Sequence, residues 1–326
     1  METIAVLTSG GDCPGMNAAI RAVVRRGVDR GLRVFGIRRG FSGLLAGDME
    51  SLDARAVGTI IRRGGTVLQT ARCPEFATPE GVQRGLDNLR RTGIEGLVVI
   101  GGDGSLKGAR DLSRGGFPVA GVPASIDNDI NGTEQAIGAD TALNTALDAL
   151  DKIKDTASSH GRVFIVEVMG RRCGYLALIT AITGGAELAL IPEVASSLED
   201  VLDTVRYSYA VGKQHCVVVV AEGAAQDPEG IAAYLRKNAA RIGFAEVEVR
   251  VTILGHIQRG GSPTAADRLL GSRLGAAAVD YLCDGNAGHL AGIQEGRVQP
   301  VPLEVVSTER CQLDIGLYRL AQVLAK

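Results

Sequence analysis

Two short acidic segments, residues 101–105 (Gly-Gly-Asp-Gly-Ser) and residues 125–129 (Ser-Ile-Asp-Asn-Asp), each follow closely on an apolar run typical of a buried strand. Glycines let a backbone approach a phosphate closely, and Mg²⁺ prefers one or two carboxylates together with phosphate oxygens and water. Two carboxylates separated by one residue repel each other unless a cation or a substrate proton compensates. Together the segments predict phosphoryl transfer with a metal-binding carboxylate and a base. The structural alternatives are a capped strand-to-helix turn and an Asx-rich turn.

A third loop, residues 8–17 (Thr-Ser-Gly-Gly-Asp-Cys-Pro-Gly-Met-Asn), lies between the apolar run 4–7 and a helical pattern. Backbone N–H groups at such a turn, together with the start of the helix, favour an anion. The loop matches neither the Walker A pattern nor the dinucleotide fingerprint, so its ligand is not identified by motif. A tight structural turn remains the alternative.

Arginines and other polar groups recur in the segments around later apolar runs. Arginine binds phosphate through two parallel hydrogen bonds, so this set predicts a phosphate or sugar-phosphate site. The alternative for any one arginine is a solvated or ion-paired side chain. The set comprises Arg72, Arg162, Met169, Gly170, Arg171, Glu222, Arg250, His256 and Arg259.

Strand-like apolar runs alternate with amphipathic helical patterns along the whole chain, which predicts a doubly wound α/β fold with mostly parallel sheets. We expect two sheets with helical layers and a domain boundary near residue 138, which the chain crosses more than once. Ligands of such sheets bind at the carboxyl ends of the strands. Strands are predicted at residues 4–7, 33–37, 97–100, 119–122, 163–168, 217–220 and 247–254, and helices from residue 17 and over residues 140–152.

The composition argues against several other classes of protein. The 326 residues carry a net charge of −2 with no basic stripe, which argues against nucleic-acid binding. No stretch reaches the ~20 apolar residues of a membrane helix, and no signal-peptide core begins the chain. No two cysteines form a C-x-x-C pair, so we expect reduced thiols in the cytoplasm and no zinc site. The cysteines are Cys13, Cys73, Cys173, Cys216, Cys283 and Cys311.

The order of the motifs resembles that of the bacterial ATP-dependent 6-phosphofructokinases of family A. The loop at residues 10–12, the two acidic segments, residues 166–171 (Val-Glu-Val-Met-Gly-Arg) and residues 255–263 (Gly-His-Ile-Gln-Arg-Gly-Gly-Ser-Pro) span most of the chain. The resemblance implies phosphorylation of D-fructose 6-phosphate at its 1-hydroxyl in glycolysis.

The same resemblance implies two similar three-layer lobes with the active site in the cleft between them. The larger, ATP-binding lobe would comprise residues 1–138 and about 258–312. The smaller, fructose 6-phosphate-binding lobe would comprise residues 139–257 and 313–326.

Individual roles follow from the resemblance. Asp103 would hold Mg²⁺ with support from Asp129, Asp127 would take the proton of the sugar hydroxyl, and Arg72 and Arg171 would stabilise the transferring phosphoryl group. ATP would be bound by Gly11, Arg72, Cys73, Gly102, Asp103, Gly104 and Ser105. Fructose 6-phosphate would be bound by Ser125, Asp127, Arg162, Met169, Gly170, Arg171, Glu222, Arg250, His256 and Arg259. Since Arg162 and Arg250 reach a neighbouring subunit in this family, a homotetramer is implied.

Two positions bear on the phosphoryl donor. Pyrophosphate-dependent relatives carry Asp at the position of Gly104 and Lys at that of Ala124, so the residues found here favour ATP. Ser125 stands where the family commonly has threonine, which keeps the hydroxyl but loses a methyl group. The alternatives are a pyrophosphate-dependent enzyme and a non-catalytic effector-binding subunit, and the intact Asp103, Asp127 and Asp129 argue against the latter.

The family's effector site, which binds ADP or phosphoenolpyruvate, is only partly matched. The corresponding residues are Arg21, Arg25, Lys154, Gly185, Glu187, Lys213 and His215, with Lys154 in place of an arginine. Ala54, Thr59 and Val211 replace an arginine, an aspartate and a lysine. Each lost charge-assisted hydrogen bond is worth about 1.5–3 kcal/mol, so a weakened effector response is expected.

Overall fold

The computed structural model describes residues 1–308 and 313–326. The chain divides into two compact units, Met1–Thr141 with Arg259–Cys311 and Ala142–Gln258 with Gln312–Lys326. Cys311 and the lobe boundary expected near residue 312 lie outside the described residues. The assignment of ATP to one lobe and the sugar to the other stays a prediction.

Strands and helices alternate along most of the chain, as the hydrophobic pattern predicts. The strands are β1 Thr3–Ser9, β2 Arg33–Ile37, β3 Met49–Leu52, β4 Gly96–Gly101, β5 Val119–Pro123, β6 Val163–Val168, β7 Leu188–Leu190, β8 Cys216–Ala221, β9 Val249–Ile253, β10 His289–Gln294 and β11 Arg297–Pro302. The helices are α1 Met16–Asp29, α2 Gly40–Ala46, α3 Pro79–Arg91, α4 Asp103–Arg114, α5 Ala139–His160, α6 Tyr175–Gly184, α7 Leu198–Ala210, α8 Pro228–Lys237, α9 Ala239–Ile242, α10 Ala265–Cys283, α11 Leu303–Thr308 and α12 Ile315–Leu324. Short 3₁₀ helices lie at Ile60–Arg62, Pro74–Ala77 and Gly255–Arg259.

The first unit is built on a seven-stranded sheet with the order β11-β10-β5-β4-β1-β2-β3. The β2–β3 and β10–β11 pairs are antiparallel and the other pairs are parallel. Every residue of β1, β4 and β5 is buried, which explains why these strands read as continuous apolar runs. The parallel pairs place the loops after β1, β4 and β5 side by side at one edge.

The second unit contains a four-stranded parallel sheet with the order β7-β8-β6-β9. Its core includes Val163, Ile165, Val218 and Val220, which alternate along β6 and β8. The register pairs Val163 with Val249 at the amino end of β6. Because the strands are parallel, residues that precede β6 and β9 lie at the amino end of this sheet. Residues that follow β6 and β8 lie at its carboxyl end.

The predicted α/β architecture with two mostly parallel sheets is confirmed. The predicted strands agree with the observed ones to within two residues at either end. Strands β3, β7, β10 and β11 were not predicted, because none of them contains four consecutive apolar residues. The helix predicted over residues 140–152 extends further, to His160. None of the helices in the described part of the chain is long and apolar enough to cross a membrane.

Candidate active site

Three loops of the first unit meet at the carboxyl edge of its sheet. The parallel register pairs Ser9 with Gly101 and Gly101 with Pro123, so the loops after β1, β4 and β5 begin next to one another. A Cβ atom on Gly101 would lie 2.5 Å from the backbone oxygen of Ser9 and 2.7 Å from the Cβ of Ser105. The close approach of these backbones therefore excludes any side chain at position 101.

The loop after β1 is tied to the segment that carries Arg72 and Cys73. The hydroxyl of Thr70 donates a hydrogen bond of 2.7 Å to the backbone oxygen of Gly10. Arg72, which is exposed, and Cys73, which is partly exposed, follow directly before the 3₁₀ helix Pro74–Ala77. The structure thus brings the segment bearing these two residues to the edge where Gly11 lies.

Arg259 also lies at this loop. Its Nη1 atom is 2.5 Å from the place where a Cβ on Gly11 would stand, so glycine leaves the space that the guanidinium occupies. The Nε atom of Arg259 is buried and has no hydrogen-bond partner in the part of the chain that the structure describes. The resemblance assigns Arg259 to the sugar phosphate, and the structure places it against a residue assigned to the nucleotide.

Asp103 begins α4 directly after Gly102. Its Oδ2 atom is 2.7 Å from the Nζ of Lys107, and the two side chains are 43% and 44% exposed. A Cβ on Gly104 would meet nothing within 4 Å, so the backbone at this position borders open space. Ser105 is buried, and its Oγ would lie 3.0 Å from a Cβ on Gly10, which ties the start of α4 to the first loop.

Sequence reasoning missed Lys107. The signal was available, because an acidic residue followed four positions later by lysine on a helix is a favourable ion pair. Lys107 lies two residues beyond the Gly-Gly-Asp-Gly-Ser motif, which ends at Ser105.

Ser125 connects the two aspartates of the second acidic loop. Its hydroxyl donates a hydrogen bond of 2.9 Å to Oδ1 of Asp129 and accepts one of 3.3 Å from the backbone N–H of Asp127. Asp127 is buried, with 5% exposure. A threonine at this position would offer the same hydroxyl for these two hydrogen bonds. Ala124, the other position tied to the donor, is buried with 1% exposure.

Asn128 closes the loop behind these carboxylates. It adopts a left-handed conformation with φ of 50°, which asparagine tolerates better than most residues. Its side-chain oxygen accepts from the backbone N–H of Ala136 at 2.7 Å, and its amide nitrogen donates to the backbone oxygen of Glu134 at 3.1 Å. The side chain thereby holds residues 128–136 as a compact loop and fixes the backbone beside Asp127.

The chemistry of these carboxylates fits Mg²⁺ bound together with a nucleotide. Among the described residues no cluster of three or more His, Cys, Asp or Glu side chains could hold a metal alone. By the resemblance, Asp103 and Asp129 would supply one carboxylate each, and Mg²⁺ commonly uses one or two carboxylates with phosphate oxygens and water. These two carboxylates would fit a metal whose remaining ligands are phosphate oxygens and water.

In the second unit, the carboxylate of Glu222 organises the carboxyl end of β6. Its Oε2 atom accepts hydrogen bonds from the backbone N–H groups of Gly170 at 3.3 Å and Arg171 at 3.0 Å. Gly170 has φ of 147°, and a Cβ there would lie 2.4 Å from the backbone oxygen of Cys173, so only glycine fits. Met169 is buried just before this turn. The predicted residues Met169, Gly170, Arg171 and Glu222 are thus brought together.

Arg162 and Arg250 lie at the other end of the same sheet. The Nε of Arg162 is 2.7 Å from Oε2 of Glu248, and Arg250 pairs with the other oxygen of the same carboxylate. The Arg162 guanidinium beside it lowers the pKa of Glu248 below its ordinary value. His256, by contrast, follows the carboxyl end of β9 and is exposed in the 3₁₀ helix Gly255–Arg259.

Arg162 and Arg250 are separated from the turn that carries Met169 and Arg171 by the length of β6. The six residues of this strand span about 20 Å at ~3.3 Å per residue. Arg162 precedes the strand, whereas Met169 follows it. A single copy of the second unit therefore cannot place both sets on one small phosphorylated sugar.

Several of the residues assigned to an effector are hydrogen-bonded to neighbouring groups. In the second unit, Lys154 Nζ donates to the backbone oxygens of Gly184 at 2.8 Å and Gly185 at 3.0 Å. Lys213 Nζ donates to Oε1 of Glu187 at 3.1 Å and to the backbone oxygen of Ala325 at 2.7 Å. His215 Nδ1 lies 3.2 Å from the hydroxyl of Ser158. Arg21 and Arg25 lie on α1 in the first unit, and Nε of Arg21 has no partner among the described residues.

A sequence model of the family described as Phosphofructokinase matches residues 3–282. The chain is 52% identical over 325 residues to an ATP-dependent 6-phosphofructokinase of Natranaerobius thermophilus and 51% identical over 326 residues to one of Bacillus licheniformis; each match covers 100% of both chains.

Two solved structures are also similar. Phosphofructokinase from Saccharomyces cerevisiae has a TM-score of 0.85 and 37% identity, over 94% of this chain and 45% of the yeast chain, so this chain spans just under half of the yeast one. A pyrophosphate-dependent phosphofructokinase from Marinobacter aquaeolei has a TM-score of 0.84 over 97% of this chain and 86% of that one, and at 21% identity it shows the fold alone.

Proposed function

Because this chain belongs to the phosphofructokinase family, we propose that it transfers the γ-phosphoryl group of ATP to the 1-hydroxyl of D-fructose 6-phosphate in glycolysis. The observation that carries the proposal is the meeting of three loops at one sheet edge, with Gly11, Asp103 and Asp127 on adjacent strand ends. The resemblance assigns this activity to the cytoplasm, which is part of the proposal.

The first unit supplies the phosphate-binding loops and the base. In the transfer, Asp127 accepts the proton of the 1-hydroxyl, whose oxygen bonds to the γ-phosphorus while the bond to the β-phosphate bridging oxygen breaks and ADP leaves. Such a transfer passes through a loose transition state, so strong basicity is not required and the protein mainly positions and neutralises charge. Mg²⁺, held by Asp103 and supported by Asp129, would neutralise charge on the phosphates. Arg72 stabilises the transferring group.

The second unit supplies residues that bind the sugar phosphate. Glu222 accepts hydrogen bonds from the backbone N–H groups of Gly170 and Arg171. These bonds fix the backbone of Arg171 close to the buried Met169. We assign the positioning of the sugar to Met169 and Glu222, and charge stabilisation to Arg171. Ser125, His256 and Arg259 complete the proposed set.

The proposed enzyme is an oligomer, with a homotetramer as the expected state. The sets at the two ends of β6 are too far apart for one copy to use both on one sugar phosphate. Arg162 and Arg250 therefore act on the sugar phosphate of a neighbouring copy, consistent with their place beside one carboxylate, Glu248.

We further propose that control by ADP or phosphoenolpyruvate is weakened. Lys213 is already held by Glu187 and by a backbone oxygen, and position 211 carries valine where the family has lysine. Velocity measured against fructose 6-phosphate, with and without phosphoenolpyruvate and ADP, tests this. A strongly sigmoidal shift caused by phosphoenolpyruvate would contradict it.

The activity itself is tested by one coupled assay in which the donor is varied. With fructose 6-phosphate and Mg²⁺ present, ATP should support formation of the 1,6-bisphosphate and pyrophosphate should not. Turnover with pyrophosphate alone would favour the pyrophosphate-dependent alternative. Binding of nucleotide without turnover on either donor would favour a non-catalytic, effector-binding subunit.

A further inference from the structure

Lys107 places an ammonium group directly on the carboxylate assigned to Mg²⁺. It lies one helical turn after Asp103 on α4, and its Nζ is 2.7 Å from Oδ2 of Asp103. Both side chains are partly exposed, so the pair forms on the open side of the loop, where Gly104 also borders free space. The cation therefore lies where the phosphates of a nucleotide are proposed to bind.

A carboxylate in a phosphate-binding loop repels the phosphates whenever no metal is bound between them. Two like charges about 4 Å apart repel by ~1 kcal/mol even at the dielectric of water, and more at a protein surface. An unpaired Asp103 would therefore weaken binding of a nucleotide that carries no metal. An ammonium on Asp103 cancels this repulsion, as a metal ion does.

The strength of the pair suits an exchange of partners. Exposed ion pairs are worth about 0.2–1 kcal/mol, so a divalent cation can displace Lys107 at little cost. Lysine has a flexible four-carbon stem and three donors, so the displaced ammonium stays within the loop and is free for an anionic oxygen of the nucleotide. A buried pair would not exchange as readily.

We propose that Lys107 is a charge-compensating residue that substitutes for the metal at Asp103 and so sets how strongly nucleotide binding depends on Mg²⁺. This rests on the proposed function, which assigns Asp103 to the metal. The competing explanation is that the pair only stabilises α4, as ion pairs four residues apart do on many helices.

The chain offers a matched control for that explanation. Asp148 and Lys152 form the same kind of pair, four residues apart, on α5 and outside every proposed site. Lys152→Met removes a helix-stabilising pair without touching the loop. The informative variants are Lys107→Met and Lys107→Gln, which remove the charge, and Lys107→Arg, which keeps it.

The measurement is the dissociation constant of ADP by isothermal titration calorimetry, in EDTA and in saturating Mg²⁺, on the full chain. The dissociation constant in EDTA divided by that in Mg²⁺ reports the coupling between metal and nucleotide. In Lys107→Met and Lys107→Gln we expect ADP binding in EDTA to weaken more than binding in Mg²⁺, and the ratio to rise about fivefold. Lys107→Arg and Lys152→Met should keep the wild-type ratio.

An unchanged ratio in both neutral variants would overturn the role of Lys107 while leaving the proposed function intact. Equal changes in Lys107→Met and Lys152→Met would likewise overturn it in favour of a purely structural pair. If the wild-type chain bound no ADP and showed no turnover, the proposed function itself would fail, and this inference with it.

Discussion

Asp267 and Thr141 form a buried polar contact in the first unit. Oδ2 of Asp267 accepts hydrogen bonds from the backbone N–H of Thr141 at 2.8 Å and from its hydroxyl at 2.6 Å. The other oxygen, Oδ1, accepts from the backbone N–H of Gly138 at 2.8 Å. One carboxylate thereby joins the first turn of α10 to the start of α5 and to the end of the loop that begins at Ser125.

Replacing Asp267 should lower the stability of the protein. In Asp267→Asn the amide nitrogen cannot accept, so at least one buried N–H group loses its partner, at a cost of about 1–3 kcal/mol. Urea denaturation followed by circular dichroism measures the change. Thr141→Val is the companion variant, because it removes the hydroxyl that donates to Asp267 and accepts from the backbone N–H of Thr264 at 3.1 Å. Unchanged stability in both variants would contradict this account.

The pH dependence of that difference follows from the titration of Asp267. Burial raises the pKa of Asp267 above its ordinary value. A group whose folded-state pKa is raised contributes stability that is present below its unfolded pKa, about 3.9, and is lost as pH rises through the folded-state value. The stability gap between wild type and Asp267→Asn should therefore narrow as pH rises from about 4, measured as urea midpoints over that range.

Loss of the proposed base should abolish most turnover. Asp127→Ser is expected to lower kcat by about 10²–10⁴-fold, the usual contribution of a general base, while fructose 6-phosphate still binds. Steady-state kinetics and equilibrium binding of the sugar phosphate measure the two effects separately. Asp151→Ser, on an exposed part of α5, serves as the control, and full turnover in Asp127→Ser would refute the assigned base.

The hydroxyl at position 125 should matter more than its methyl group. Ser125→Ala removes a hydrogen bond to the charged Asp129, worth about 1.5–3 kcal/mol, and also the acceptor for the N–H of Asp127. We expect kcat to fall by about tenfold in Ser125→Ala. Ser125→Thr keeps the hydroxyl and should remain close to wild type. Equal loss in both variants would show that shape rather than hydrogen bonding matters here.

Position 104 should control the donor through charge and not through folding. Because a Cβ there meets nothing within 4 Å, Gly104→Asp and Gly104→Ala should both fold normally. The carboxylate of Gly104→Asp would lie beside the phosphates of ATP, and its repulsion should raise the KM for ATP by about tenfold. Gly104→Ala should change the KM little. A similar increase in both variants would point to a steric cause.

Two inactive variants should restore each other if neighbouring copies share a site. Each proposed site uses Asp127 of one copy and Arg162 of a neighbouring copy. In mixed oligomers of Arg162→Ser and Asp127→Ser, some sites therefore contain both intact residues. Co-expression should give activity well above either variant alone, with about one quarter of the sites intact in a random mixture. A mixture of Asp127→Ser with Asp127→Asn should stay inactive. No recovery in the first mixture would contradict the proposed role of Arg162.

The buried strands and the loops after them could be predicted from sequence because both signals are local. An apolar run such as 97–100 must be buried, and the glycines that end it allow the close backbone contacts seen at Gly101. Edge strands such as β3 are short and half exposed, so their hydrophobic pattern is weak. They form because a neighbouring strand offers hydrogen bonds, which is not a local property.

The sequence by itself determined the α/β class and the residue types of the acidic loops, since these depend on hydrophobic periodicity and on chemistry within a few positions. Only the tertiary structure decided which residues meet. It put Arg259 against Gly11, and Arg162 and Arg250 at the opposite end of β6 from Met169. Contacts between residues far apart in the chain depend on strand order and register, and those follow from how the whole core packs.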